Sequence, residues 1–383
     1  MRLNPVFDEL GDYPIATIQA RARDRRDAGL PVVDFSIGDP REPTPPFIIR
    51  ALEDAIPEIS QYPTAGGLAP FRSAVADYVD RRFGVGVDPD SQVLPTSGAK
   101  EAIFSTPLAF IDGTAADVVV YPTPGYPIYE RGARFAGADV LPVRLTGDFV
   151  LRADSISNEA WSRARMVWTN SPHNPTGAVS SLSDLADLYE RARDEDVLLL
   201  SDECYADVYE EAFYPEGPAS VLQVAGEGSP GVIVYLSLSK RSGMTGYRSG
   251  AMVGDAEAIA ALRVLRSTTG TASQEFVQSA AVAAWGDDAH AAERRTIFTE
   301  KRRILRAAFD DLGLDVVGSA AGLYLWVAVD DDLAVSDRLL DEGVVVSPGR
   351  FFGRGGEGFL RLALVPALDE CEAAADTLRS VLG

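Results

Sequence analysis

A lysine placed at the end of an apolar run is a candidate nucleophile, and the segment VIVYLSLSK closes on Lys240. Desolvation disfavours an ammonium, and a second cation nearby adds to the effect, so with Arg248 eight residues on, the neutral amine that attacks aldehydes is favoured. Ser237, Ser239 and Arg248 together suit a phosphate dianion. Lysine is also scarce in this chain: Lys100, Lys240 and Lys301 are the only ones among 35 basic residues, the rest being arginine. Where arginine carries nearly all the positive charge, each lysine raises the question of why arginine would not serve. Lys301, within TEKRRILRAAF, needs no reason beyond a charged helical face.

Three further segments carry chemistry. In LLLSDECYADVY, Asp202 ends an apolar run, so its carboxylate is carried to a strand end from a buried stretch. Such a group needs a cation or donor, either a protonated heterocycle or one of the many arginines. Tyr205, three residues on, is near enough to address the same ligand. In NSPHNPTGAV, Asn174 presents an amide at another strand end, or the segment is simply a turn. His173 is expected to face solvent, and His290 lies in a charged helix. In PTSGAKEAIF, a strand runs through Gly98, Ala99 and Lys100 into a helix, which makes an anion site, unless Ser97 is only an N-cap. The run Gly353–Gly358 matches G-x-G-x-x-G but precedes a strand, so it reads as a loop. Anion cradle, buried acid, phenol, amide and nucleophilic lysine together describe a site for pyridoxal phosphate.

The elements that must position these groups are strand-like runs at 92–97, 117–122, 139–143, 165–170, 197–202, 232–239 and 250–255, with amphipathic helices between several of them. That alternation predicts an α/β fold with a mostly parallel sheet covered by helices on both faces. In such sheets, ligand-binding groups gather where strands end. Beyond about residue 256 a long helical region gives way to the strand candidates GLYLWVAV and GFLRLALV, a smaller α+β unit. The expected organisation is an arm and part of the small domain over 1–45, a large domain over 46–265 and a small C-terminal domain over 266–383.

A chain of 383 residues suits two domains in close contact. The net charge of −22 speaks against nucleic acid and anionic membrane as partners. Cys204 and Cys371 have neither metal-ligand nor disulfide-framework spacing, and the N-terminus has no apolar signal core, so a reducing cytoplasm is expected.

Taken in order and spacing, SGAKEAI, NPTG, SDECY, SLSKRSGMTGYRSG and PGRFFG-GEGFLRLAL resemble the class I/II aminotransferases of pyridoxal-phosphate fold type I, over essentially the full length. That fold implies a large domain with a mostly parallel seven-stranded sheet plus a smaller α+β domain. More narrowly, GDYPIATIQ, SIGDPREPTPP, YPTAGGLAPFR, SDECYADVY and AAWGDDAH are similar to the N-succinyl-L,L-diaminopimelate aminotransferases. Those enzymes transfer an amino group to 2-oxoglutarate. The resemblance implies that Lys240 holds the cofactor as a Schiff base and shuttles a proton, and that Asp202 keeps the pyridine nitrogen protonated. Tyr205 and Asn174 would address the phenolic oxygen. Gly98, Ala99, Lys100, Ser237, Ser239 and Arg248 would hold the phosphate, with Tyr126 stacked on the ring. Arg361, with Gly38 and Asn174, would grip the substrate α-carboxylate. Tyr62 would reach the phosphate of a neighbouring subunit, which implies a homodimer with shared sites. Arg41, Arg241 and Arg350 are candidates for a distal carboxylate. Gly243 and Thr271-Ala272-Ser273 depart from the narrower pattern near the expected mouth of the site. An aspartate-type or other class I/II transaminase is the alternative. A transcription regulator built on the same fold is a remote one, and it would bring a basic DNA-binding domain.

Overall fold

The computed structural model describes residues 1–10 and 15–383; residues 11–14, part of the GDYPIATIQ stretch, lie outside the described residues. A two-residue strand, β1 (Val33–Asp34), precedes the main sheet. That sheet is built from β2 (Val93–Thr96), β3 (Val118–Thr123), β4 (Asp139–Arg144), β5 (Ala164–Asn170), β6 (Leu198–Asp202), β7 (Val232–Ser237) and β8 (Gly250–Gly254). Its order is β2-β8-β7-β6-β5-β3-β4, with β8 alone running against its neighbours. All seven lie on the runs expected from sequence; the one notable difference is that Leu238–Arg241 is a helical turn rather than the end of β7.

The central strands are nearly continuous apolar runs because both faces are covered. Side chains alternate across the sheet, so Val120, Val167, Leu199 and Val234 enter one core while Val119, Trp168, Leu200 and Tyr235 enter the other. Helices Ala99–Ser105, Ile128–Phe135 and Ala256–Thr269 serve the second core, and helices Ala69–Phe83 and Leu182–Asp194 the first. A capping box between Ser181 and Asp184 fixes where the latter begins. Helix Glu275–Trp285 packs against Pro46–Asp54 and Ala69–Phe83, bringing Ala280, Ala284 and Trp285 into the first core.

A separate core lies under an antiparallel sheet formed by β9 (Val316–Val317), β10 (Tyr324–Ala328), β12 (Ser347–Pro348) and β13 (Phe359–Ala363). Its order is β12-β13-β10-β9, and helices Ala289–Asp311 and Leu368–Leu382 pack together beside it. Strand β11 (Val344–Val345) pairs in parallel with β1, and Phe35 enters this core, which ties the N-terminal segment to the C-terminal third of the chain.

Lys301 corrects the expectation of an exposed helical face. It is 1% exposed, paired with Glu42 and close to the Leu364 carbonyl. Burying an ammonium requires such a partner, so this lysine fastens the segment after Gly38 to the small core. The two histidines are also buried rather than solvent-facing. His173 bonds Thr176 Oγ1 at 2.8 Å, and burial holds its pKa down to about 3. His290 bonds Asp287 and Ser242.

Candidate active site

Because β5, β6 and β7 run parallel in register, their C-terminal residues Asn170, Asp202 and Ser237 arrive at one edge of the sheet. A cavity of about 450 Å³ opens there. Gly38, Ala99, Lys100, Tyr126, Asn174, Asp202, Tyr205, Ser237, Ser239, Lys240, Arg248 and Arg361 all line it, so most of the groups picked from sequence meet in one place. Gly98 does not line it directly but underlies its anion end, against Arg248.

Lys240 stands on the helical turn that follows β7 and donates to the carbonyl of Gly38. Burial is the main cause that lowers its pKa to about 8; Arg248 and Arg361 push the same way, and Asp39 and Cys204 oppose them. The neutral amine is therefore a minority of about one tenth at pH 7, far more than an unperturbed lysine would offer. Asp202 is 4% exposed, and burial raises its pKa against the bonds that it accepts from Tyr129 Oη at 2.8 Å and Cys204 N at 3.2 Å. Among the described residues no arginine pairs with it, which removes the ion-pair alternative. Its carboxylate lines the cavity and lacks a cationic partner.

At the anion end, Gly98 has φ +84°, and a Cβ there would lie 2.3 Å from Arg248 Nη2. The glycine lets backbone amides lie against the guanidinium. Arg248 is itself held at φ +55° and donates to the Thr245 carbonyl at 2.9 Å. Ser237 Oγ accepts from Ser239 N, which holds the Ser237 hydroxyl, and both serines line the same cavity. Ser97 is not the N-cap; Gly98 holds that position without a side-chain bond, and Ser97 N donates to Glu101 instead. This cradle, the Asp202 carboxylate without a cationic partner and the desolvated Lys240 amine fit a phosphorylated, protonated heterocyclic aldehyde.

Arg361, on β13, is 5% exposed and lies between the rings of Tyr324 and Phe352, each 4.4 Å away. It donates to Asn174 Oδ1 at 3.0 Å and to the Ser36 carbonyl at 2.5 Å, while its Nε is buried without a partner. A guanidinium fixed on both faces and left with an unpaired donor is prepared for a planar carboxylate. Tyr205 and Tyr324 share a hydrogen bond of 2.7 Å at the same wall.

The sequence reading missed Tyr129, which secures Asp202 and stacks on Trp168 at 4.8 Å. The signal available was its place one helical turn after Tyr126. It also missed Tyr324 and Phe352, whose roles depend on a distant strand, and Asn170, which bonds the Asp202 carbonyl and the Asn174 amide. Other expectations do not meet at the cavity. Arg241 is buried against Asp207 and Asp288, Arg350 pairs with the buried Asp332, and Arg41 pairs with Glu370. None of the three lines it, and neither do Gly243 or Thr271–Ser273. Tyr62 is fully exposed and is not part of this chain's own cavity lining.

The family profile described as aminotransferase class I and II matches residues 31–378. An LL-diaminopimelate aminotransferase from Desulforudis audaxviator (strain MP104C) is 36% identical over 383 residues, covering 98% of this chain and 96% of the relative. Among solved structures, an aminotransferase from Neisseria meningitidis Z2491 superposes with TM-score 0.92 at 32% identity and full coverage of both chains. A probable N-succinyldiaminopimelate aminotransferase from Thermus thermophilus superposes with TM-score 0.89 at 29% identity, covering 96% of this chain and 100% of that one. With its profile match, its fold and the site just described, this chain belongs to the class I and II aminotransferases, whose cofactor is pyridoxal phosphate.

Proposed function

We propose that the chain moves the α-amino group of a diaminopimelate-type amino acid to a 2-oxo acid, with 2-oxoglutarate as acceptor. The observation that carries this reading is the meeting of Lys240, Asp202 and Arg361 in one cavity. The cofactor, when bound, supplies an electron sink for charge developing at the substrate α-carbon. Lys240 Nζ anchors it and carries the proton to and from that carbon. The Asp202 carboxylate holds the proton on the ring nitrogen, and Tyr129 holds the carboxylate. Tyr205 and Asn174 bond the phenolic oxygen, and Tyr126 covers the ring. Gly98, Ala99, Lys100, Ser237, Ser239 and Arg248 hold the phosphate. Arg361, with Gly38 and Asn174, orients the α-carboxylate. The fully exposed Tyr62 reaches the phosphate in a second copy, so the working unit is a homodimer. The three-part division of the chain and a cytoplasmic location belong to the same reading.

Two forms of the donor have support. The free LL-diaminopimelate is favoured by the name of the 36%-identical relative. The N-succinyl form is favoured by the segment resemblances and by the Thermus structure at 29% identity. Borohydride reduction followed by peptide mapping tests the chemistry, with a pyridoxyl adduct expected on Lys240 alone. Spectral half-reactions with both donors and with aspartate test the substrate. An adduct elsewhere sinks the assignment of Lys240, and faster conversion by aspartate sinks the donor.

A further inference from the structure

Six charged side chains line the cavity: Asp39, Lys100, Asp202, Lys240, Arg248 and Arg361. The reading above gives a task to all but Asp39. This residue sits on the rim between the exposed Ile37 and the buried Pro40, and its carboxylate makes no hydrogen bond or ion pair among the described residues. The ledge that carries it is firmly held. Before it, the Ser36 carbonyl accepts from Arg361 and from Ser347 Oγ, and the Gly38 carbonyl accepts from Lys240. After it, Glu42 pairs with Lys301, Arg294 donates to the Pro43 carbonyl, and Thr44 Oγ1 donates to the Gly243 carbonyl at 2.6 Å. A turn from Asp39 N to the Ile37 carbonyl at 2.9 Å fixes the residue itself. The cavity thus has a buried cation, Arg361, and a fixed, exposed anion, Asp39, on its lining.

We propose that Asp39 is a specificity-determining residue that reads the far end of the substrate and selects a free ammonium there. The proposal rests on the reading of Arg361 as the α-carboxylate grip. A diaminopimelate then lies with one carboxylate on Arg361, its methylenes along Ile37, and its distal ammonium against Asp39, with the distal carboxylate turned to solvent. An N-succinylated donor has lost that ammonium, keeps the distal carboxylate and adds a second one, so only negative charge meets the rim. Its discrimination comes from repulsion as much as from attraction. Lys240 feels the same carboxylate as the leading opposing charge, which places Asp39 within electrostatic reach of the reacting amine.

Two unreactive probes test it on the holoenzyme: 6-(dimethylamino)hexanoate, with a cationic far end, and pimelate, with an anionic one. Their dissociation constants are measured calorimetrically for wild type, Asp39→Asn and Asp39→Glu. Wild type is expected to prefer the cationic probe, and D39N to lose about two- to fivefold of that preference, as an exposed charge pair allows. D39E restores it, and raised salt weakens it. Equal binding of both probes to wild type, or a D39N effect equal on both, overturns the proposal. If neither probe competes with an α-amino acid substrate, the assignment of Arg361 has failed instead. If the preference holds while no diaminopimelate derivative reacts, the proposed donor has failed and Asp39 has not.

Discussion

Tyr129→Phe removes one oxygen from a fully buried site and leaves the ring stacked on Trp168. The lost group donates at 2.8 Å to Asp202, whose pKa burial already raises. A hydrogen bond to a charged acceptor contributes about 1.5–3 kcal/mol, so the carboxylate should become harder to ionise by about one to two pKa units. The loss falls on the ionised form, because that form needs the donor. Holding a proton on a ring nitrogen depends on the same ionised carboxylate, so cofactor affinity and turnover fall together, each by about tenfold or more. Folding stability, measured on cofactor-free protein, falls by no more than that one bond is worth, about 1.5–3 kcal/mol. The assays are cofactor titration by quenching of protein fluorescence, single-turnover half-reactions, and thermal unfolding without cofactor. Cofactor affinity and half-reaction rate both within twofold of wild type would refute the reasoning. A large loss of stability in the cofactor-free protein would mean that Tyr129 is a structural residue only.

Arg361→Lys keeps the charge but loses the fork and the planar contact with Tyr324 and Phe352; kcat/KM for the amino acid should fall by about 10- to 100-fold, with cofactor affinity unchanged. Gly98→Ala places a Cβ against Arg248 Nη2 at a backbone angle of +84°. Strain of about 1–3 kcal/mol is expected there, with cofactor affinity reduced by more than the half-reaction rate once loaded. Glu203 is buried, with one carboxylate oxygen unpartnered, and burial raises its pKa to about 7. A carboxyl whose folded pKa is raised contributes stability present below its unfolded value, and this is lost as pH rises through about 7. On the order of 3 kcal/mol is at stake. The unfolding midpoint of Glu203→Gln should gain on wild type between pH 5 and pH 8; a difference that stays flat with pH contradicts the assignment.

The sequence by itself determined the sheet and most of the site, for a local reason. An apolar strand buried on both faces must end, and the polar residue at its end is delivered to one edge. Asp202, Asn174 and Lys240 were legible because each follows such a run, and Gly98 and Arg248 because tight turns have few solutions. What the sequence left open depends on groups far apart in the chain. Tyr129 reaches Asp202 only because a helix covers that strand end, and Tyr324 frames Arg361 only because β10 and β13 pair in register. Lys301 looked like surface until the segment carrying Glu42 crossed over it. Arg241, beside the key lysine in sequence, turns into a buried ion pair with Asp207. Periodicity identifies the face a residue belongs to, but only the packing of one element on another decides what that face meets. The exposed carboxylate of Asp39 belongs to this second kind: its place in one cavity with Arg361 is a property of the assembled fold.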